Sequence, residues 1–229
     1  MRLYHRLREA RFLQRPNRFI ALCEVDRGVE RCHVKNTGRC RELLVPGARV
    51  WLEEADAPAR KTRFDLVAAQ SRGVVVNLDS QAPNPVFAEW ARQGGFLPEV
   101  TLLRAETRFG ASRFDFYYER MGARRGFAEI KGVTLFDGEG TAFFPDAPTE
   151  RGVKHLRELM AARKAGYEAA VCFLLQRSGV RALRPNDATD PAFGAALREA
   201  AAAGVMVRAL VCDATPDSLT VTREVPAEL

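Results

Sequence analysis

The chain lacks any apolar run long enough to cross a lipid bilayer. Its longest uninterrupted apolar stretch, residues 169–175, falls far short of the roughly 20 residues that a membrane-spanning helix needs. The arginine-rich N-terminus also lacks the apolar core of a secretory signal, and the presence of Glu9 together with the absence of serine there disfavours a transit peptide. These absences predict a cytoplasmic protein with no membrane partner.

The five cysteines lack the spacing of a zinc site or of a C-x-x-C redox pair. They stand at positions 23, 32, 40, 172 and 212, an odd number that indicates reduced thiols. Cys32-His33 near Cys40 leaves metal ligation open, whereas the alternating strand patterns around Cys23 and Cys32 favour packing in a core. The chain also lacks heptads and an obvious interface stripe, so monomer and dimer both stay open.

Positive charge is concentrated in the first third of the chain. Residues 1–82 carry 16 Lys and Arg against 10 Asp and Glu, whereas residues 83–229 carry 19 of each, so the whole formal charge of +6 lies in the first segment. We therefore expect two domains, 1–82 and 83–229, joined near the proline-rich connector 81–85. A basic domain attracts polyanions, most often nucleic acid, through counterion release. A basic surface without a partner is the alternative.

Five short, partly alternating segments predict a small β-barrel in the first domain. They cover residues 19–25, 29–34, 48–53, 64–70 and 73–78, and no long helix separates them, which is typical of an OB-fold. Its connections offer side chains for phosphate oxygens: Arg18, Lys35, Asn36, Thr37, Arg39, Arg41, Arg60, Lys61 and Arg63. Asn36-Thr37-Gly38 equally fits a turn with no binding role.

The second domain is predicted to be mixed α/β. In chain order the pattern predicts a helix from Pro85 to Gly94, strands over 100–107, 112–119 and 127–135, a helix capped by Thr149 and ending near Gly166, a strand over 167–175, a helix from Asp190 to Gly204 and a strand over 205–212. The three successive strands form a meander. The later strand, helix and strand imply a parallel pair with a right-handed crossover.

Asp115 and the Glu129-Ile130-Lys131 triplet are the strongest candidates for chemistry. The period of two in a strand sends Glu129 and Lys131 to one face, and the predicted meander brings Asp115 onto the adjacent strand. Two carboxylates can then chelate one hard divalent cation beside a lysine, which is equipment for hydrolysing a phosphodiester. The alternative is an edge-strand ion pair of modest value. Glu89 is either an additional metal-linked carboxylate or a solvated helix charge.

Four segments resemble the motifs of the bacterial and archaeal sugar fermentation stimulation protein A family. They are residues 32–39, 112–115, 129–135 and 144–156. The resemblance spans essentially the whole chain, and the last segment, with its Pro, Gly and His, is the most specific. It implies an N-terminal OB-like β-barrel followed by a domain similar to the PD-(D/E)XK nucleases, in a DNA-binding protein linked to sugar metabolism.

The resemblance also implies roles for individual residues. Asp115 and Glu129 would hold Mg²⁺ or Mn²⁺, Lys131 would be the catalytic lysine, and Glu89 would match a helix carboxylate seen in some branches. These roles indicate a metal-dependent nuclease acting on DNA. A non-catalytic DNA-binding regulator of sugar-utilisation genes and an RNA-directed hydrolase are the alternatives.

The helix predicted after Thr149 exposes a polar face in its first turns. Lys154 and His155 are expected to hold a neighbouring phosphate, and Arg151 belongs to the same nucleic-acid-binding set. The alternative is a helix whose polar face meets only solvent.

Overall fold

The computed structural model describes residues 1–55 and 60–229. Its first part is a six-stranded sheet made of β1 (Leu7–Asn17), β2 (Ile20–Val25), β3 (Gly28–Val34), β4 (Arg49–Glu54), β5 (Phe64–Ser71) and β6 (Val74–Asn77). β1 pairs with β2 on one side and with β4 on the other, β2 pairs with β3, and β4 pairs with β5. β5 returns parallel to β3 and closes the barrel.

This closed five-stranded barrel confirms the predicted OB-like fold, with one strand that the sequence analysis missed. β1 buries only Ala10 and Phe12 among its eleven residues, so polar side chains obscure its alternation. The barrel interior is filled by fully buried side chains such as Phe64 and Leu66, with Cys23 and Cys32 among them. The packing interpretation of these cysteines is therefore confirmed, and all five thiols are free and buried.

The second part is built on another six-stranded sheet. Its elements are α1 (Pro83–Arg92), β7 (Val100–Phe109), β8 (Ser112–Arg120), β9 (Arg124–Val133), β10 (Leu135–Phe136), β11 (Thr141–Phe144), α2 (Glu150–Lys164), β12 (Glu168–Leu175), β13 (Ala182–Pro185), α3 (Pro191–Ala202), β14 (Met206–Ala214) and β15 (Leu219–Val225). The strand order is β15-β14-β12-β9-β8-β7, and a small sheet β10-β11-β13 lies beside it.

The large sheet confirms the predicted mixed α/β arrangement. β7, β8 and β9 form the expected antiparallel meander, and β9, β12 and β14 run parallel. Alternation along β12 sends Val171 and Phe173 into the core shared with α2 and α3. Ala170 and Cys172 point to the opposite core, which α1 covers. The sheet is thus covered on both faces, as parallel strands require.

The predicted Thr149 cap is present, and Asp190, at the predicted start of the next helix, also acts as a cap. The Thr149 hydroxyl accepts a hydrogen bond from the Gly152 amide at 3.0 Å, and the Asp190 carboxylate accepts one from the Phe193 amide at 3.0 Å. Such caps satisfy amides that have no partner inside the helix. The Thr149 cap fixes the first turn of α2, and the Asp190 cap fixes the first turn of α3. Within the described residues, no helix is both long enough and apolar enough to traverse a bilayer.

Candidate active site

Asp115 lies where β8 and β9 separate. Their ladder runs from Arg120 opposite Arg124 to Phe116 opposite Ala128. One residue further along, the Asp115 carboxylate, rather than backbone, accepts the Ile130 amide at 2.7 Å. Its other oxygen accepts from the Asn84 side chain at 2.9 Å, at the start of α1. Two elements therefore hold this carboxylate against the end of the β8–β9 ladder.

Glu129 and Lys131 share one face of β9, as the strand period predicts. The Lys131 ammonium donates to Glu129 Oε1 at 2.7 Å. His155 of α2 contacts the same oxygen through Nδ1, and the lysine nitrogen is 3.4 Å from that ring nitrogen. Glu129 is only 3% exposed, so its charge is compensated inside the protein by these two neighbours.

Arg151 extends this cluster by one residue. Its Nε lies 3.4 Å from His155 Nε2, so Arg151 and Glu129 contact the two different nitrogens of the ring. Spacing of four along α2 places Arg151 directly before His155 on one helix face. The imidazole is thereby held in one orientation.

Glu129 Oε2 is the unusual atom of the site. It is buried and has no hydrogen-bond partner among residues 1–55 and 60–229, whereas buried carboxylate oxygens are normally paired. Burial acts to raise the pKa of Glu129, but the hydrogen bond from His155 and the charge of Lys131 outweigh it and hold that pKa below its ordinary value. Burial, followed by the charge of Glu129, raises the pKa of Asp115. The two carboxylates are thus close enough to repel each other.

The arrangement offers two hard oxygen donors for a divalent cation, from Asp115 and from Glu129 Oε2. The set is small: within residues 1–55 and 60–229, no group of three or more His, Cys, Asp or Glu side chains is placed to hold a metal. The same finding disfavours metal ligation by Cys32, His33 and Cys40. His33 instead bonds to Asp65 through Nδ1 at 2.9 Å.

Glu89 does not join these carboxylates as a third ligand. Its side chain is 38% exposed and pairs with the terminal ammonium group of Met1 at 3.0 Å. It shares only an open apolar groove with Asp115. The interpretation of Glu89 as a charge on the outer part of α1 therefore describes its position better than the metal-ligand prediction.

The polar residues of α2 divide into two groups. His155 is buried, contrary to the predicted exposed face, because its spacing from Gly152 and Leu159 puts it on the packed stripe. Lys154 is exposed on the outside of the helix, where its nearest acidic partner is Glu158 at 3.9 Å. Lys154 and His155 therefore lie on different faces of α2, and a role for Lys154 in holding a phosphate stays a prediction.

The loop after β3 contains both engaged and available side chains. Lys35 pairs with the buried Asp79 at 2.6 Å. The Asn36 side chain accepts the Gly38 amide at 2.7 Å and donates to the Leu78 carbonyl at 2.9 Å, which confirms the turn. These two side chains are already used by the fold. The available ones are exposed, and their side chains have no polar partner within the described residues: Arg18, Thr37, Arg39 and Arg41.

The second predicted phosphate-binding loop lies elsewhere on the barrel. Residues 32–34 of β3 run parallel to residues 64–66 of β5, so the segment before β5 and the loop after β3 lie at opposite ends of this pair. Arg60 is paired with Asp65, and Arg63 with Glu54 at 3.0 Å. Lys61 is exposed. The two loops therefore do not form one continuous grip.

A cleft of about 290 Å³ separates the barrel from the α/β part. Arg18, Thr37 and Gly38 line one side, and Gly132 and the segment 145–149 line the other. Gly132 directly follows Lys131, so the cleft reaches the strand of the acidic cluster. A Cβ atom at position 38 would collide with the carboxylate of Asp146. Glycine at position 38 thus leaves room for the Asp146 side chain in the position that it occupies.

Three structural side chains escaped the sequence analysis. Arg15 donates to the carbonyls of Arg18, Asn36, Gly38 and Arg39. Gln176 donates to Asn77 Oδ1 at 2.9 Å and joins the two parts of the molecule. Asn84 holds Asp115. None stands in a recognisable motif, because each acts on residues that are distant in sequence.

Comparison with known proteins finds matches along nearly the whole chain. A family model described as the sugar fermentation stimulation protein RE domain matches residues 81–218, and one described as the SfsA N-terminal OB domain matches residues 13–78. A sugar fermentation stimulation protein homolog of Desulfitobacterium hafniense strain Y51 is 54% identical over 216 residues, which cover 94% of this chain and 93% of the homolog.

More distant relatives match over similar lengths. The homolog of Clostridium beijerinckii is 46% identical over 218 residues, covering 95% of this chain and 96% of its own. Among solved structures, that of Pyrococcus furiosus SfsA in complex with Ca²⁺ superimposes with a TM-score of 0.90 and 29% identity, over 100% of both chains.

Proposed function

The chain belongs to the sugar fermentation stimulation protein family, and we propose that it is a DNA-binding protein whose α/β part hydrolyses phosphodiesters with Mg²⁺ or Mn²⁺. The observation that carries this proposal is the buried Oε2 of Glu129, which has no partner among the described residues and lies close to a second carboxylate, that of Asp115. An unpaired buried oxygen is costly, and ligation by a hard cation removes that cost. The Pyrococcus furiosus relative was solved with Ca²⁺, which supports a divalent-cation site here.

Asp115 and Glu129 are the residues that would hold the cation. Both supply carboxylate oxygens, which Mg²⁺ and Mn²⁺ prefer. When bound, the cation supplies positive charge against the charge that develops on a phosphate during hydrolysis. It would also relieve the repulsion between the two carboxylates that raises the pKa of Asp115.

The neighbouring side chains have positioning and electrostatic roles in this proposal. His155 and Lys131 both occupy Glu129 Oε1, which leaves Oε2 as the oxygen available to a ligand. Arg151 fixes the imidazole, and Asn84 fixes the Asp115 carboxylate. Lys131, partly exposed to solvent, is the cation of this cluster best placed to stabilise a phosphate or orient a water.

The basic barrel supplies the nucleic-acid affinity in the proposal. Arg18, Arg39 and Arg41 are exposed and have no acidic partner among the described residues, and Arg18 lines the cleft whose other wall includes Gly132, the neighbour of Lys131. Such side chains contact phosphates regardless of sequence. DNA is the proposed partner, with RNA as the alternative.

The test is cleavage of labelled single- and double-stranded DNA and RNA with Mn²⁺ or Mg²⁺, compared with EDTA. We expect divalent-dependent cleavage by the natural protein and its loss in Lys131→Met, which keeps the apolar stem and removes the ammonium. Lys154→Met is the matched control, because Lys154 lies on the outside of α2 and should leave cleavage unchanged.

Two outcomes would contradict the proposal. Cleavage that persists in Lys131→Met would come from another site or from a contaminating enzyme. If none of the four substrates is cleaved while DNA is still bound, the protein is a binding protein without hydrolytic activity.

A further inference from the structure

One aromatic ring stands apart from all the others. Phe19 is 51% exposed, whereas every other Phe, Tyr and Trp side chain of the described residues, which include all the aromatic ones, is buried or partly buried. It occupies the turn between β1 and β2, next to the exposed Arg18. Single exposed apolar residues are common, so its surroundings decide whether the ring has a use.

The turn that carries Phe19 is rigid. Asn17 Oδ1 accepts the amides of Phe19 and Ile20 at 2.9 and 3.0 Å. The Phe19 carbonyl accepts the Val34 amide at 2.8 Å, which ties the turn to the end of β3. The ring is therefore presented by a fixed backbone, so that ordering it on binding carries little entropic cost.

Arg15 fastens this turn to the loop after β3. Its Nη2 donates to the carbonyls of Arg18 and Asn36 at 2.7 Å each. Its Nη1 donates to the carbonyls of Gly38 and Arg39 at 2.9 and 2.7 Å. We call residues 17–19 and 36–39 together the turn platform. One guanidinium thus fixes the relative position of the platform's two halves.

The platform is basic and lies at the mouth of the cleft. The guanidinium groups of Arg18 and Arg39 are exposed and have no acidic partner within the described residues, whereas Arg60 and Arg63 are neutralised by carboxylates. Arg18 also lines the cleft whose far wall includes Gly132. An exposed ring on the same platform as two arginines without acidic partners, one of which lines a groove, is a combination that can receive bases and phosphates together.

We propose that the turn platform binds unpaired nucleotides, so that single-stranded nucleic acid is the substrate class of this protein. One base stacks on Phe19 while Arg18 and Arg39 contact the flanking phosphates. The strand then continues along the cleft towards Lys131, a step that rests on the proposed function. A duplex keeps its base faces stacked on one another and offers the ring only sugar and phosphate edges.

The test is fluorescence anisotropy in EDTA, with a labelled single-stranded oligonucleotide and the corresponding blunt duplex. We expect Phe19→Ala to weaken single-strand binding about tenfold, since stacking of one base on an aromatic ring has an effect of that order. Duplex binding should change by less than about twofold. Phe19→Trp should retain single-strand binding, whereas Phe19→Leu, which is apolar without a π face, should resemble Phe19→Ala.

Val29→Ala is the matched control, because Val29 is an exposed apolar side chain of the same barrel, 64% exposed. It should leave both affinities unchanged. Equal loss of single-strand and duplex binding in Phe19→Ala, full binding by Phe19→Leu, or a preference of the natural protein for duplex would overturn the proposal. Because EDTA suppresses hydrolysis, stacking can be observed even if the cleavage assay fails, and the two failures are distinguishable.

Discussion

Two buried carboxylates, each paired with a lysine, have different environments in the two halves of the molecule. Asp79, at the end of the barrel, is 3% exposed. Its Oδ2 accepts from Lys35 at 2.6 Å and from the Tyr4 hydroxyl at 3.2 Å, and its Oδ1 accepts from the Gln81 amide at 2.9 Å. Both oxygens are therefore satisfied by the protein itself.

Glu129 is buried to the same extent but is satisfied on one side only. Lys131 and His155 share its Oε1, and Oε2 has no partner in the part of the chain that the structure describes. A buried charge whose oxygens are all paired can be held within the fold without a ligand. Glu158 and Glu168 also have a buried oxygen without a partner among the described residues, so it is the nearby carboxylate of Asp115 that favours a cation at Glu129 Oε2. Asp79 and Glu129 each have a lysine partner, so the lysines alone do not distinguish the two environments.

The largest expected effect is that of Glu129→Gln on cleavage. Glutamine keeps an acceptor for Lys131 and His155 but puts a neutral amide in place of Oε2. The cation would then lose one of its two carboxylate ligands and keep only Asp115. We expect the single-turnover rate with Mn²⁺ to fall about a thousandfold. A rate within about tenfold of the natural protein would assign Oε2 no part in catalysis.

The counterpart at Asp79 should affect stability. Asp79→Ala leaves Lys35 and the Tyr4 hydroxyl without their acceptor, and removing one member of a buried pair costs on the order of 3 kcal/mol. Urea denaturation measures this change. Asp217→Ala is the control, since that carboxylate is exposed and pairs with Arg2 at 3.3 Å, and it should cost less than about 1 kcal/mol. Equal losses would remove the contrast between the two carboxylates.

A smaller loss is expected at the joint between the two halves. Gln176 is 1% exposed and donates to Asn77 Oδ1 and to the carbonyls of Asn77 and Asp79. Gln176→Ala should lower the free energy of unfolding by about 1–2 kcal/mol and lead the barrel to melt separately from the α/β part in calorimetry. Gln14→Ala, exposed on β1, is the control. A single, unshifted transition in Gln176→Ala would show that other contacts join the halves.

The smallest expected effect is on the salt dependence of DNA binding. It compares an arginine without an acidic partner among the described residues with one that is paired with a carboxylate. Arg39→Ala should reduce the slope of log K against log salt by about 1 in DNA binding, because one phosphate contact is lost. Arg63→Ala should leave the slope unchanged, since Glu54 already neutralises Arg63. Titrations at several salt concentrations measure both slopes, and equal changes would mean that pairing does not limit availability.

Local patterns predicted the elements well and their polar partners poorly. The period of two placed Glu129 beside Lys131, and the caps Thr149 and Asp190 marked two helix starts. β1 was missed because arginines alternate with its few inward side chains. The burial of His155 was readable from its spacing of four before Leu159, but its bond to Glu129 joins residues 26 apart. No local rule predicts such long-range pairs.

Gly38 determines how near the barrel and the α/β part come to one another. Since a methyl group there would meet the Asp146 carboxylate and the Asn36 side-chain oxygen, Gly38→Ala would force these side chains to move or the two parts to separate slightly. Alanine, serine and valine at position 38 would fill the space beside the cleft to increasing extents. Such a series of variants would show how the width of the cleft limits the ligand that enters it.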